Sequence, residues 1–193
     1  AASDVYKRQG AGTAFILGVG MTVTAAYILL AIVLAPALIG LGLDPIAVHL
    51  FILYWGMISF ITPPVALGAF AAASLAGATP MRTGFEAMRL GSIVYFLPFF
   101  FVLNPALVLN GDALTIIVEV CTAVVGIVMI AAGLQGHLIL VGSFYSDLLS
   151  WIYRVILIIG GLALAYPEMV SNGVGIIALI VVFGMTRLIP LKT

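Results

Sequence analysis

Charge is what this sequence has least of. Its 193 residues include seven Lys+Arg and seven Asp+Glu, 7% of the chain, against about a quarter in an ordinary soluble domain. Hydrophobic residues make up 64%, and the mean hydropathy is +1.33. So little polar surface cannot cover a water-soluble globule, and apolar patches of that extent aggregate unless lipid or protein covers them. Cysteine is nearly absent as well, and Cys121 alone excludes a disulfide framework. A net charge of +0 excludes the basic face of a nucleic-acid binder, and the high hydropathy excludes disorder. What remains is an integral membrane protein, whose function must be read where the apolar helix pattern is broken.

The first nine residues, AASDVYKRQ, hold three charges, no initiator Met and no apolar h-region, so they are not a signal peptide. They look like translated adaptor sequence and are read as a non-native flank. The natural protein is then expected to continue upstream, and this chain to be a C-terminal fragment.

A membrane-crossing helix needs about 20 apolar residues. Gly10–Ile39 is apolar but interrupted at Gly18–Thr24, and Ile46–Leu75 is apolar but interrupted at Thr62-Pro63-Pro64. Ser92–Leu109, Ala113–Gly133, Leu148–Tyr166 and Val174–Ile189 are expected to be ordinary spans. Between them, Met81–Leu90 carries Arg82, Glu86 and Arg89 three or four residues apart, the spacing of an interfacial helix with charges along one face. If Gly10–Ile39 is a re-entrant hairpin, the crossings that follow place Arg82, Arg89, Arg154, Arg187 and Lys192 on one side and Asp44, Asp112 and Glu168 on the other. The positive-inside rule makes the arginine side cytoplasmic.

Backbone that leaves the helix at membrane depth survives only when buried in protein or lining a wet cavity. In the second break, Pro63 and Pro64 lack the N–H groups that would bond the carbonyls of Ser59 and Phe60. Those carbonyls, with the hydroxyls of Ser59 and Thr62, are the oxygen ligands that discontinuous transporter helices offer sodium. The plain alternative is a proline kink. In the first break, Gly18 and Gly20 permit a tight turn, and Thr22 and Thr24 stand at the start of the next helix, where free N–H groups favour a carboxylate. Its alternative is a flexible point inside one long helix. Pro36 lies about 18 Å beyond Thr24 at helical rise, half the bilayer core, as a hairpin arm requires.

The runs GVGMTVTAAYILLAIVLAPAL, ITPPVAL, GFEAMRLG and NPAL resemble the C-terminal half of the membrane permease of tripartite ATP-independent periplasmic (TRAP) transporters, most of all the fused permeases that work with TAXI-type binding proteins. The resemblance covers about residues 10–111; residues 112–193 resemble the weaker C-terminal extension of those permeases, with about three transmembrane helices. It implies an all-α polytopic membrane protein of the elevator type, with a re-entrant hairpin (10–39), a discontinuous helix (46–75), a cytoplasmic arm (81–90) and a span (92–109). It further implies import of small organic anions by sodium symport across the bacterial or archaeal inner membrane. No cofactor is expected beyond the coupling ion. The implied partners are a periplasmic TAXI-type solute-binding protein, the lipid bilayer and the missing N-terminal half of the permease, which carries the other inverted repeat; no nucleic acid is expected.

Carried over by motif, Gly18, Val23, Ser59, Phe60 and Thr62 are the expected sodium ligands, and Gly20, Met21, Thr22, Thr24 and Pro63 the expected substrate wall. The chain departs from the family pattern at Thr22 and Val23, where GMPTTAAY has Pro and Thr; Val23 keeps only its backbone carbonyl as a ligand. Glu119, about 10 Å into its span by helical rise, is expected to be structural or interfacial, with proton relay as the alternative. His49 is expected to pack and hydrogen-bond. No catalytic residue is expected: Asp44 precedes a proline in a loop and lacks a second membrane aspartate, and Ser143 lacks a nucleophile elbow. An accessory membrane subunit without a site would predict unbroken helices.

Overall fold

The computed structural model describes residues 21–138, 142–143 and 148–188, together with positions 9 and 12. Two compact units follow one another, Ala1–Val108 and Leu109–Thr193. Among the described residues the regular elements are helices apart from one two-residue antiparallel ladder, so the all-α expectation holds at that level.

In the first unit, helix α1 (Val23–Val33) starts at the N-cap Thr22, whose hydroxyl accepts from the Ala25 N–H at a long 3.4 Å. It hands over at Leu34 to the short α2 (Ala35–Gly40). Pro36, expected to close this arm, sits instead in the first turn of α2, where a helix has no use for the missing N–H. Helix α3 (Pro45–Met57) is capped by Asp44, whose Oδ1 accepts from the N–H groups of Ile46 at 2.8 Å and Ala47 at 3.1 Å. Its buried residues Ala47, Val48, Phe51, Ile52 and Trp55 recur at the period that lines one helical face. They form the core of the unit with Leu30, Leu38 and Val102, joined by an aromatic cluster in which Phe99 meets Phe51 and Trp55 edge-on at 5.5 and 5.9 Å.

A single 3-10 turn (Ile58–Phe60) follows α3, and the chain regains helix only at α4 (Leu67–Ala76). Gly77 ends α4 with φ 64, a left-handed conformation that lets the Gly77 and Ala78 N–H groups both reach the Ala73 carbonyl. Helix α5 (Pro80–Leu90) carries Arg82, Glu86 and Arg89, with Arg89 and Glu86 paired at 2.9 Å on its exposed side. The chain then bends by 66° at Gly91 into a 3-10 turn (Ser92–Tyr95) and α6 (Leu97–Leu103). The sequence predicts one span over 92–109. The structure divides it, because Pro98 fits only the first turn of α6 and Asn104-Pro105 closes that helix; the buried Asn104 side chain accepts from the Ala106 N–H at 3.1 Å and starts a final 3-10 turn (Pro105–Val108).

The second unit is a helical hairpin with a third helix. Helix α7 (Ala113–Gln135) is capped by Asp112 and ends at Gly136, which has φ 69. A ladder between β1 (His137–Leu138) and β2 (Gly142–Ser143) precedes α8 (Leu148–Ala163) and α9 (Met169–Leu188). Here small residues set the packing. A Cβ on Gly161 would stand 2.6 Å from the Gly126 carbonyl, one on Gly133 2.7 Å from the Arg154 carbonyl, and one on Gly160 2.6 Å from Ala178. Helices in lipid gain little from burying apolar surface, so close backbone approach of this kind supplies the packing contacts. Arg154, expected to be a topology charge, closes the end of α7: its Nε and Nη2 donate to the carbonyls of Gly133 and Leu134 at 2.8 and 2.9 Å, and its guanidinium lies 4.6 Å from the centroid of the Trp151 ring.

Among the described residues, α7 is long and apolar enough to cross a membrane, and the bent pair Pro80–Leu90 with Ser92–Leu103 would count as a second, broken span. Five further apolar helices are shorter.

Candidate functional site

The break after α3 is built from backbone. The Ile58 carbonyl accepts three hydrogen bonds, from the N–H of Ile61 at 3.1 Å, the N–H of Thr62 at 3.0 Å and the Thr62 hydroxyl at 2.8 Å. Its lone pairs are therefore spent. The next two carbonyls, Ser59 and Phe60, would receive their helical donors from residues 63 and 64, which are prolines. The Phe60 carbonyl faces the restarted helix so closely that a Cβ on Gly68 would lie 3.3 Å from it. Ala66, fully buried, carries the chain into α4 with φ 35 and ψ 43, a left-handed conformation rarely adopted outside glycine, which redirects the backbone.

The side chains at the break are deeply placed. Ser59 is 4% and Thr62 3% exposed. The Ser59 hydroxyl donates to the Gly56 carbonyl at 2.9 Å. The Thr62 hydroxyl lies 2.8 Å from the Ile58 carbonyl and 2.7 Å from the Tyr95 hydroxyl. Both hydroxyls, read from the sequence as ligands held ready for an ion, are thus engaged by the protein. Each still keeps lone-pair capacity, since an alcohol that donates its proton accepts through its oxygen.

The first break lies partly outside the described residues, as do Gly18 and Gly20. Of its expected members, Met21 and Val23 are half-buried, while Thr22 and Thr24 are exposed. Val23 opens α1, so its carbonyl belongs to the helical ladder. The start of α1 is nevertheless brought to the second break: a Cβ on Gly56 would lie 3.8 Å from the Val23 carbonyl and 4.0 Å from Ala26 Cβ. Gly56 is also the acceptor of the Ser59 hydroxyl. The described end of the first interruption and the second interruption therefore meet within one turn of α3.

The arm supplies the third wall. A Cβ on Gly84 would stand 2.8 Å from Pro63 Cγ, and one on Gly91 2.8 Å from Ile61 Cδ1. Pro63, expected on the substrate wall, rests its ring on α5 there. The sequence alone does not single out Tyr95, which reaches the break only because the chain bends by 66° after α5.

The family model described as "Tripartite ATP-independent periplasmic transporter, DctM component" matches residues 12–116, more than half of the chain and all of the described part of this site. The chain belongs to that family. It is a membrane permease component of a TRAP transporter, and its family is one of transporter components, not of enzymes. No curated protein and no solved structure matches the chain. Other residues of this permease have packing roles in view of their contacts. The His49 ring Nδ1 is 3.0 Å from the Tyr27 hydroxyl, tying α3 to α1 as expected of a packing histidine. Glu119, 8% exposed on α7, belongs to the second unit, beyond the matched segment.

Proposed function

We propose that this permease imports small organic acids, as carboxylates handed over by a periplasmic TAXI-type solute-binding protein, by sodium symport through the bacterial or archaeal inner membrane. The observation that supports this reading is the break at Ile58–Ala66. There one carbonyl is saturated, the next two are deprived of helical donors by Pro63 and Pro64, and two buried hydroxyls stand beside them. Sodium takes such oxygens from broken transporter helices. The expected ligands are the carbonyls of Ser59 and Phe60 and the Thr62 hydroxyl, with Gly18 and the second lone pair of the Val23 carbonyl as the further ligands the family motif implies.

The carboxylate would bind beside this ion at the start of α1, where N–H groups and the helix dipole favour negative charge. Each charge lowers the cost of holding the other in a low-dielectric site, so ion and substrate bind cooperatively. In an elevator mechanism the first unit carries the loaded site, and the exposed charged side of α5 lies at the cytoplasmic interface as a connecting arm. Residues 109–193 act as framework, a role their glycine seams and the Arg154 cap favour.

Uptake of radiolabelled small carboxylates into proteoliposomes holding the full-length permease, with the binding protein outside, tests the coupling. Uptake is expected to require an inward sodium gradient; equal uptake with potassium in place of sodium overturns the symport reading.

A further inference from the structure

We infer that Tyr95 is a positioning residue for the ion site: its hydroxyl donates to the Thr62 oxygen, anchors it from a second side and leaves one lone pair for a cation. This rests on the sodium-site reading above and deepens it.

Counting protons fixes the direction of both bonds. The Thr62 hydroxyl has one proton and two close neighbours, the Ile58 carbonyl at 2.8 Å and the Tyr95 hydroxyl at 2.7 Å. A carbonyl only accepts. Were Thr62 to donate to Tyr95, its oxygen would face the Ile58 carbonyl with no proton between them. Thr62 therefore donates to Ile58, and Tyr95 donates to Thr62. That arrangement points the Thr62 proton into the helix end and uses one of its lone pairs, leaving the other for a cation. Without the Tyr95 proton the hydroxyl keeps two unused lone pairs in a site where it is 3% exposed, and its oxygen is held by one bond instead of two.

Tyr95 is itself placed by the arm. Gly84 and Gly91 allow α5 and the following turn to lie against Pro63 and Ile61. The Tyr95 ring packs edge-on against Trp55, with centroids 6.5 Å apart. Trp55 is thereby a built-in reporter, in contact with the positioning residue and on the helix that breaks.

The test is a sodium titration of Trp55 fluorescence in the purified full-length permease, in a Trp151→Phe background and with any tryptophans outside this chain likewise replaced by Phe. Choline replaces sodium as the ionic-strength control. Tyr95→Phe keeps the ring and its packing and loses only the hydroxyl. It is expected to raise the half-saturating sodium concentration about fivefold to tenfold, the loss of one hydrogen bond to a ligand. Thr62→Ser is expected to titrate close to the parent, Thr62→Val to shift the midpoint further than Tyr95→Phe does, and Tyr95→Phe to have no further effect on Thr62→Val. A Tyr95→Phe midpoint equal to the parent's, with Thr62→Val still shifted, overturns the positioning role and leaves the sodium site standing. No saturable sodium response in the parent overturns both.

Discussion

The two units use the same apolar alphabet in opposite ways. In residues 109–193, glycines are placed so that helices close on each other, Gly161 on Gly126 and Gly160 on Ala178, and the end of α7 is sealed by Arg154. In residues 21–108, prolines remove donors from a helix end, and glycines let neighbouring elements lie against the break. Gly68 admits the Phe60 carbonyl, and Gly84 and Gly91 admit Pro63 and Ile61. A glycine in the second unit therefore supports stability, whereas Gly68 at the break supports access to the Phe60 carbonyl. Substitutions of similar size should separate the two roles.

The largest effect is expected from Gly161→Leu. Its Cβ would fall 2.6 Å from a backbone carbonyl, which no side-chain adjustment relieves. Overpacking at this level costs about 3 kcal/mol or more, read as a lower midpoint of thermal unfolding in detergent. A midpoint unchanged from the parent would break the comparison. Gly68→Ala is expected to be milder and of another kind. Its Cβ, 3.3 Å from the Phe60 carbonyl, asks for a shift of a few tenths of an ångström. Sodium affinity should fall about threefold, or about 0.7 kcal/mol, with the melting midpoint nearly preserved. A loss of stability without a change in sodium affinity would make Gly68 a packing glycine like those of the second unit.

The smallest effect concerns Asp112. Hydrogen bonds from the Thr115 hydroxyl at 2.6 Å and backbone N–H at 3.2 Å hold its carboxyl below the usual carboxylate range. A depressed folded value means the cap contributes above the ordinary carboxylate pKa and is lost as pH falls through the lowered one. Asp112→Asn should flatten the acid limb of the melting curve slightly. The carboxylate is fully solvated, so the change is expected to be small, and a steeper limb would contradict the assignment.

How much of this was legible in the sequence follows from the range of each interaction. Pro63-Pro64 announces a helix break locally, because the missing N–H groups are a property of those residues alone. Asp44 and Asp112 announce helix starts in the same way. Tyr95 does not announce itself: its partner Thr62 is 33 positions away, reached only because α5 folds back on the break. Pro36 misleads by one turn, since proline fits a helix start as well as it closes one. The stretch over 92–109 is helical in separate pieces, because Pro98 and Asn104-Pro105 interrupt an unbroken run of apolar residues. Arg154 reads as a topology charge until the α7 carbonyls it satisfies are seen.

If the missing proline N–H groups create the ion site, restoring them should abolish it. Direct equilibrium binding of radioactive sodium to the purified permease tests this, comparing the parent with a Pro63→Ala, Pro64→Ala double variant that restores both donors to the Ser59 and Phe60 carbonyls. Saturable binding is expected in the parent and its loss in the variant, with the thermal midpoint no lower than the parent's. Undiminished saturable binding in the variant would contradict this.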